Sequence, residues 1–210
     1  MRRCCPRTLT RDQGSGVLLA MIVMGTMLAL GLGLVAVSST ERAIAGNHHA
    51  GVEALYAAEG LAEFVLTELA SDASWSPALT GERHSAFLEP SNQPMTPWNE
   101  VLDVSAITTR VQQQSDATWS AGLDTPQWRV FAAGPLEMLV GSGNVGSMFL
   151  IAWVADDVAD ADADPGADNN GLVMIRAQAL GPAGLQRTLL VVFRRDEGGG
   201  CRVIGWREVR

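Results

Sequence analysis

The first hydrophobic feature of the chain is an uninterrupted apolar run at residues 17–37. The run contains no charged side chain, three glycines and a single hydroxyl group, that of Thr26. A helix rises about 1.5 Å per residue, so the run spans roughly 31 Å, close to the thickness of a bilayer's hydrocarbon core. In lipid the backbone must satisfy its own hydrogen bonds, which favours a helix despite the glycines. We therefore predict a membrane-spanning helix, assigned to residues 15–37.

An amphipathic segment with helical spacing follows the apolar run. Its apolar residues recur at intervals of three, four or seven, while its glutamates occupy other positions. No proline or turn cluster interrupts the sequence before Pro77. The pattern predicts one continuous helix from about Gly16 to Ser71, with residues 38–73 as its amphipathic continuation.

The second half of the chain has a different pattern, with prolines first and strands afterwards. Residues 74–126 are predicted to be a loop-rich segment with a short helix at 101–113. Residues 127–210 contain runs of strand character at 127–133, 148–155, 171–180, 185–194 and 201–209. The alternation at 171–180 predicts a half-buried strand with Arg176 and Gln178 on its polar face. The predicted fold class is α+β: a long N-terminal helix packed on an antiparallel sheet of four to five strands.

The charge and the cysteine and histidine content of the chain argue against several classes of function. The chain has 15 Lys+Arg against 23 Asp+Glu, a formal net charge of -8 and a pI of about 4.8, which argues against nucleic-acid binding. It has three cysteines and three histidines, with no HExxH motif and no cysteine pair at metal-ligand spacing. We expect neither an enzyme nor a bound organic cofactor. The six tryptophans are interpreted as core residues.

An acidic segment at residues 156–171 is the main candidate for metal chemistry. It holds six aspartates and two asparagines, and three of the aspartates alternate as at the start of an EF-hand loop. The match then fails, because Pro165 and Gly171 stand where the loop requires glycine and a bidentate glutamate. A solvated acidic loop and a weak calcium site both remain open. The candidate calcium ligands are Asp160, Asp162, Asp164 and Asp168.

The residues before the apolar run are basic. Four arginines and one aspartate precede it, whereas the segment after it is mainly acidic. The positive-inside rule then places the N-terminus in the cytoplasm and the bulk of the chain outside. A cleaved secretory signal, a permanent single-pass anchor and a prepilin leader share this layout. A secretory hydrophobic region is usually about 7–15 residues, shorter than this run, although Ala36 and Ser38 are the kind of small residues found at a secretory cleavage site.

The junction between the basic leader and the helix favours the prepilin interpretation. The leader, residues 1–14, ends in Gln13-Gly14, and Ser15 opens the apolar run. A peptidase cutting at the membrane edge needs a flexible residue without a Cβ atom at the scissile bond, whereas a secretory signal gains nothing from glycine there.

Three stretches together give the chain a resemblance to a known family. They are Gln13-Gly14-Ser15, residues 40–47 (TERAIAGN) and residues 54–59 (ALYAAE). This combination resembles the N-terminal region of PilX-like minor pilins of type IV pili. The resemblance covers about residues 11–64, less than a third of the chain.

The resemblance implies a role for several residues. Prepilin peptidase would cut after Gly14, leaving Ser15 as an N-methylated terminus. The helix would lie in the inner membrane and then enter the extracellular pilus, in contact with other pilins and minor pilins. Leu19 stands where major pilins carry a glutamate, which implies a subunit that initiates or caps the pilus and not a bulk structural subunit. The resemblance also implies a role of the pilus in adhesion or motility.

Two other functions stay open from the sequence. The chain could be a single-pass envelope protein whose acidic exterior domain binds a ligand or calcium. It could also be a pseudopilin of type II secretion, which would be processed at the same junction.

Overall fold

A computed structural model describes residues 15–89, 91–119, 125–141, 146–160, 162, 164–196 and 200–209. The chain divides into two compact units, Met1–His48 and His49–Arg210. The second unit contains the sheet and both hydrophobic cores.

Helix α1, Ser15–Ala70, is a single α-helix of 56 residues. Its bounds agree with the prediction to within about one residue, because no proline interrupts the segment. In the second unit, one face of α1 is buried and consists mainly of alanine with a few larger residues. These small side chains let the helix backbone lie close to the sheet. The buried positions are Gly51, Ala54, Ala57, Ala58, Leu61, Ala62, Val65 and Leu69.

The segment between α1 and the sheet contains two further helices. Helix α2, Ser76–Thr80, ends at Gly81, whose φ of 80° is the left-handed conformation that glycine adopts readily. Helix α3, Val104–Trp119, begins three residues later and ends six residues later than predicted. Its start is fixed by Asp103, whose Oδ1 accepts a hydrogen bond from the backbone N–H of Ala106 at 2.9 Å.

Five antiparallel strands form the sheet, in the order β1-β2-β3-β4-β5. Each strand pairs with its neighbour in sequence, which confirms the predicted meander. The strands are β1 Arg129–Pro135, β2 Phe149–Asp156, β3 Leu172–Leu180, β4 Gln186–Arg195 and β5 Cys201–Val209. Helix α4, Leu136–Val140, connects β1 to β2, and a 3-10 turn at Pro182–Gly184 connects β3 to β4.

Both faces of the sheet are covered, so the domain has three layers. One core lies between α1 and the sheet, with Leu61, Phe131 and Ile175 among its buried residues. A second core lies on the opposite face, where Val111 of α3 packs with Trp153 of β2 and other residues. The α+β architecture with a long N-terminal helix and a C-terminal antiparallel sheet is therefore confirmed, with α3 as an additional layer.

One prediction about β3 was wrong, because α3 covers the face of the sheet that was expected to be exposed. Strand β3 is not half-buried: Arg176 and Gln178, assigned to a polar outer face, are 9% and 7% exposed. Helix α3 covers them, and the Arg176 guanidinium donates a hydrogen bond to Oε1 of Gln114 at 2.7 Å. Burial lowers the pKa of Arg176, with a smaller contribution from Arg207.

The two edges of the sheet differ. Residues 85–89 lie beside β1. The backbone N–H groups of Ser85 and Glu89 donate hydrogen bonds to carbonyl oxygens of β1 at 2.9 and 2.8 Å. Leu88 also forms a parallel bridge with Ala133 of β1. On the opposite side, the outer edge of β5 pairs with no other segment in the described part of the chain. The side chains of β5 are exposed or half-buried.

We expect a fragment of residues 49–210 to be soluble, folded and monomeric. It lacks the apolar run but keeps the face of α1 that covers the sheet. Size-exclusion chromatography and circular dichroism without detergent would check this, with the full-length chain as the control that requires detergent. Aggregation of the fragment would contradict the expectation that α1 and α3 suffice to cover the sheet.

Candidate functional site

The first part of α1 exposes large apolar side chains. Val17, Met24 and Leu30 are 62%, 72% and 74% exposed, and the other large apolar residues of this stretch are similarly open. By length and composition the helix can cross a membrane, and none of its most apolar 18-residue window is buried. Apolar side chains on every side of a helix require lipid or other apolar helices as surroundings. The helix is thus suited to an apolar environment that the described residues do not supply.

The predicted processing residues lie at the start of this helix. Gly14 is outside the described residues, and Ser15 is the first residue of α1. A chain beginning at Ser15 would therefore start with the helix itself. Leu19, in the second turn, is 67% exposed.

Three carboxylates come together in the acidic segment. The group consists of Asp156, Asp160 and Asp168. Each residue contributes one carboxylate oxygen, and these three oxygens lie within 4.8 Å of one another. Asp156 is the last residue of β2, whereas Asp160 and Asp168 belong to the connection between β2 and β3. The structure thus brings together two of the four predicted calcium ligands and adds a third carboxylate from the strand.

The other two predicted ligands face elsewhere. Asp162 and Asp164 are exposed and are not part of this group. Asp162 Oδ1 accepts a hydrogen bond from the backbone N–H of Asp164 at 2.9 Å, and Asp164 Oδ1 accepts one from the N–H of Gly166 at 3.0 Å. Both side chains shape the loop, and the side chain of Asp162 also accepts a hydrogen bond from the Asn169 amide.

Asp156 is the most unusual member of the group because it is almost completely buried. It is 1% exposed, and neither carboxylate oxygen has a hydrogen-bond partner among the described residues. Burial raises the pKa of Asp156 to about 7, and repulsion from Asp160, Asp157 and Asp168 adds to this effect. The nearby backbone N–H of Asp157 favours the charged form and opposes part of this rise in pKa.

Asp160 and Asp168 are each held by one backbone donor. Asp160 Oδ2 accepts from the N–H of Asn169 at 2.9 Å, and Asp168 Oδ1 accepts from the N–H of Gly171 at 2.7 Å. Burial raises the pKa of Asp168, and the N–H groups of Gly171 and Leu172 partly oppose this. A carboxylate with one anchored oxygen keeps its orientation, while its second oxygen can accept another partner.

No arginine neutralises the group by direct contact in the described part of the chain. The ion pairs there are formed by other residues. Arg195 lowers the pKa of Asp168 at longer range, but its guanidinium donates to the carbonyl oxygens of Asp72 and Ala73 at 3.0 and 2.8 Å. It also lies 4.2 Å from the ring centroid of Trp75. The guanidinium of Arg195 therefore binds the segment that follows α1 and does not contact the acidic group directly.

The tryptophans are mostly in the core, as expected, with one exception. Trp75, Trp128 and Trp153 are buried, and Trp98 and Trp119 are half-buried. Trp206 on β5 is 64% exposed. With Val203 it borders a shallow groove between β5 and α1, at Glu59 and Glu63.

The sequence signal for Asp156 was present but weak. An aspartate that ends a wholly apolar strand is an expensive residue to bury, and Asp156 follows seven residues that the structure buries completely. Its convergence with Asp168, twelve positions later, depends on the path of the loop.

No protein-family model, no curated protein and no solved structure matches this chain.

Proposed function

We propose that the chain is a PilX-like minor pilin that helps to initiate or cap assembly of a type IV pilus. The supporting observation is the layout of α1, which starts at Ser15 with exposed apolar side chains and continues as the helix that covers the sheet. A pilin needs both properties in one helix. The apolar part serves the membrane and the filament, and the later part serves the folded domain.

The proposed location and partners follow from this layout. Before assembly the chain is a single-pass inner-membrane protein with a cytoplasmic N-terminus, because the leader is basic and the segment after the run is acidic. Prepilin peptidase removes residues 1–14. The exposed apolar side chains of α1 then contact the corresponding helices of other pilins and minor pilins, which shield them from water.

Leu19 supports a minor role over a major one. In a filament core of low polarity, the terminal amine of one subunit is neutralised by a carboxylate of its neighbour. An unpaired charge there costs several kcal/mol, so a subunit without that carboxylate is disfavoured where it must receive another subunit's amine. The amine of Ser15 can still pair with a neighbour's glutamate, which suits a position at the end of the filament.

Two other functions remain candidates. The buried acidic group favours an envelope protein with a calcium-binding exterior domain as the second candidate. A type II secretion pseudopilin shares the processing junction and is distinguished by the filament in which the chain is found.

The N-terminal mass of the chain in the membrane fraction tests the proposal. We expect a chain that begins at Ser15, with one methyl group on its amine, and trace amounts of the same chain in sheared pili. Retention of residues 1–14 would support the envelope protein instead. Immunogold labelling along the shaft at the density of the major subunit would contradict a terminal position.

A further inference from the structure

The buried carboxylate of Asp156 lacks a partner that would stabilise its charge. Its side chain is 1% exposed and both oxygens are without hydrogen bonds in the described part of the chain. A buried charged group is retained in proteins when it is paired or coordinates a metal ion. The other acidic side chain that is buried next to it, Asp157, is already satisfied by Ala159 and Asn170. Asp156 is therefore the buried carboxylate of this segment whose two oxygens are both open to an additional partner.

The distances in the group fit a single ion. Oxygens bound to one calcium ion at about 2.4 Å lie at most about 4.8 Å apart, because that is the diameter of the coordination shell. The carboxylate oxygens of Asp156, Asp160 and Asp168 satisfy this limit. Repulsion among three close carboxylates is then replaced by attraction to the shared cation.

The chemical type of the three ligands indicates which class of metal ion they would bind. The three ligands are carboxylates, with neither histidine nor cysteine in the group. All-oxygen sites suit the hard cations calcium, magnesium and manganese, whereas zinc and copper prefer nitrogen or sulfur ligands. Calcium tolerates irregular ligand arrangements, whereas magnesium demands near-ideal octahedral geometry and holds its water. Ligands from a strand end and two separate loop positions therefore favour calcium.

We propose that Asp156, Asp160 and Asp168 bind one calcium ion, which fastens the β2–β3 connection to the end of β2. This ligand set differs from the EF-hand-like set expected from the sequence, because the exposed Asp162 and Asp164 are outside it. The proposal does not depend on the role of the chain in a pilus, so each can fail without the other.

Thermal unfolding of the full-length chain in detergent micelles, after treatment with EGTA, tests the proposal. Tryptophan fluorescence is a selective probe, since all six tryptophans lie between Trp75 and Trp206, in the folded domain. With a Kd of about 10⁻⁴–10⁻³ M, typical of extracellular calcium modules, about 10 mM calcium should raise the Tm by about 3–10 °C. Equilibrium dialysis with radiolabelled calcium should give one ion per chain.

Matched variants distinguish the ligand sets. Asp156→Asn and Asp168→Asn each remove one ligand charge and should abolish the Tm increase, and either one serves if the other does not fold. Asp164→Asn removes a charge from the same loop but keeps the Oδ1 acceptor for Gly166, so its response should match that of the unmodified chain. This control separates coordination from the general acidity of the loop.

Three results would overturn the proposal. The first is an unmodified chain whose Tm and dialysis show no response to calcium. The second is a response that Asp164→Asn loses while Asp156→Asn and Asp168→Asn retain it. The third is an equal Tm increase with magnesium at the same concentration, which would exclude a site selective for calcium.

Discussion

Replacing Gly14 with valine should leave the chain in the inner membrane as an uncut precursor that retains all fourteen leader residues. In the proposed processing, the scissile bond follows Gly14, and the peptidase must fit the backbone at that position into its active site. Glycine has no Cβ atom and adopts the required conformations freely, whereas valine is branched at Cβ and restricts the backbone. We expect nearly complete loss of the mature form, measured by the intact mass of the membrane-extracted chain.

Gly25→Val is the matched control for this substitution. Gly25 lies in the apolar part of α1, and a Cβ atom added there has no atom within 4 Å beyond its chain neighbours and the adjacent helix backbone. Its mature form should appear at the normal level. A Gly14→Val chain of mature size would show that the cut lies elsewhere, and a soluble product would indicate secretory cleavage near Ser38.

Replacing Trp153 with alanine should destabilise the folded domain by about 3–5 kcal/mol, the range for truncating a large aromatic residue in a core. Trp153 is fully buried on β2, which pairs with β1 and β3. Its indole N–H donates to Oγ1 of Thr108 on α3 at 2.9 Å, so the substitution creates a cavity and removes a contact between two layers. Urea unfolding of the folded domain, followed by circular dichroism, measures the change.

Two other variants separate the contributions. Thr108→Val removes a hydroxyl that accepts from Trp153 and donates to the carbonyl oxygen of Val104. It leaves the buried indole N–H unpaired without creating a large cavity, and should cost about 1–3 kcal/mol. Trp206→Ala truncates the same side chain at a position that is 64% exposed, and should change stability by about 0.5 kcal/mol or less. A comparable loss from Trp206→Ala would mean that β5 contacts more of the domain than the structure shows.

The sequence predicted the strands closely because local patterns determine them. Strand β5 was predicted with the observed bounds, and the other four within two residues at each end. The second layer was missed for a physical reason. Helix α3 is mainly polar, and of its buried residues Val104, Val111 and Ser115 only the two valines are apolar, so its apolar face is narrow. Its partner face on the sheet includes Arg176, which a local pattern assigns to solvent.

The acidic group, too, follows partly from the local sequence and partly from contacts between residues that are distant along the chain. The abundance of aspartate identified the segment and two of the three clustered residues. The contribution of Asp156 depends on a loop that returns Asp168 to the end of β2, and no spacing rule describes that path. A buried unpaired carboxylate becomes visible only when the surrounding layers are known.

The unequal edges of the sheet limit how the domain can associate through its backbone. The β1 edge is already hydrogen-bonded to residues 85–89, so an incoming strand from another chain could pair only along β5 among the described strands. There, Arg202 pairs with Asp196 at 3.2 Å and Glu208 with Arg187 at 2.9 Å. Charged side chains on an exposed edge discourage aggregation through strand addition. The domain therefore covers one edge with its own chain, whereas the other is open and carries both charged side chains and the exposed Ile204 and Trp206.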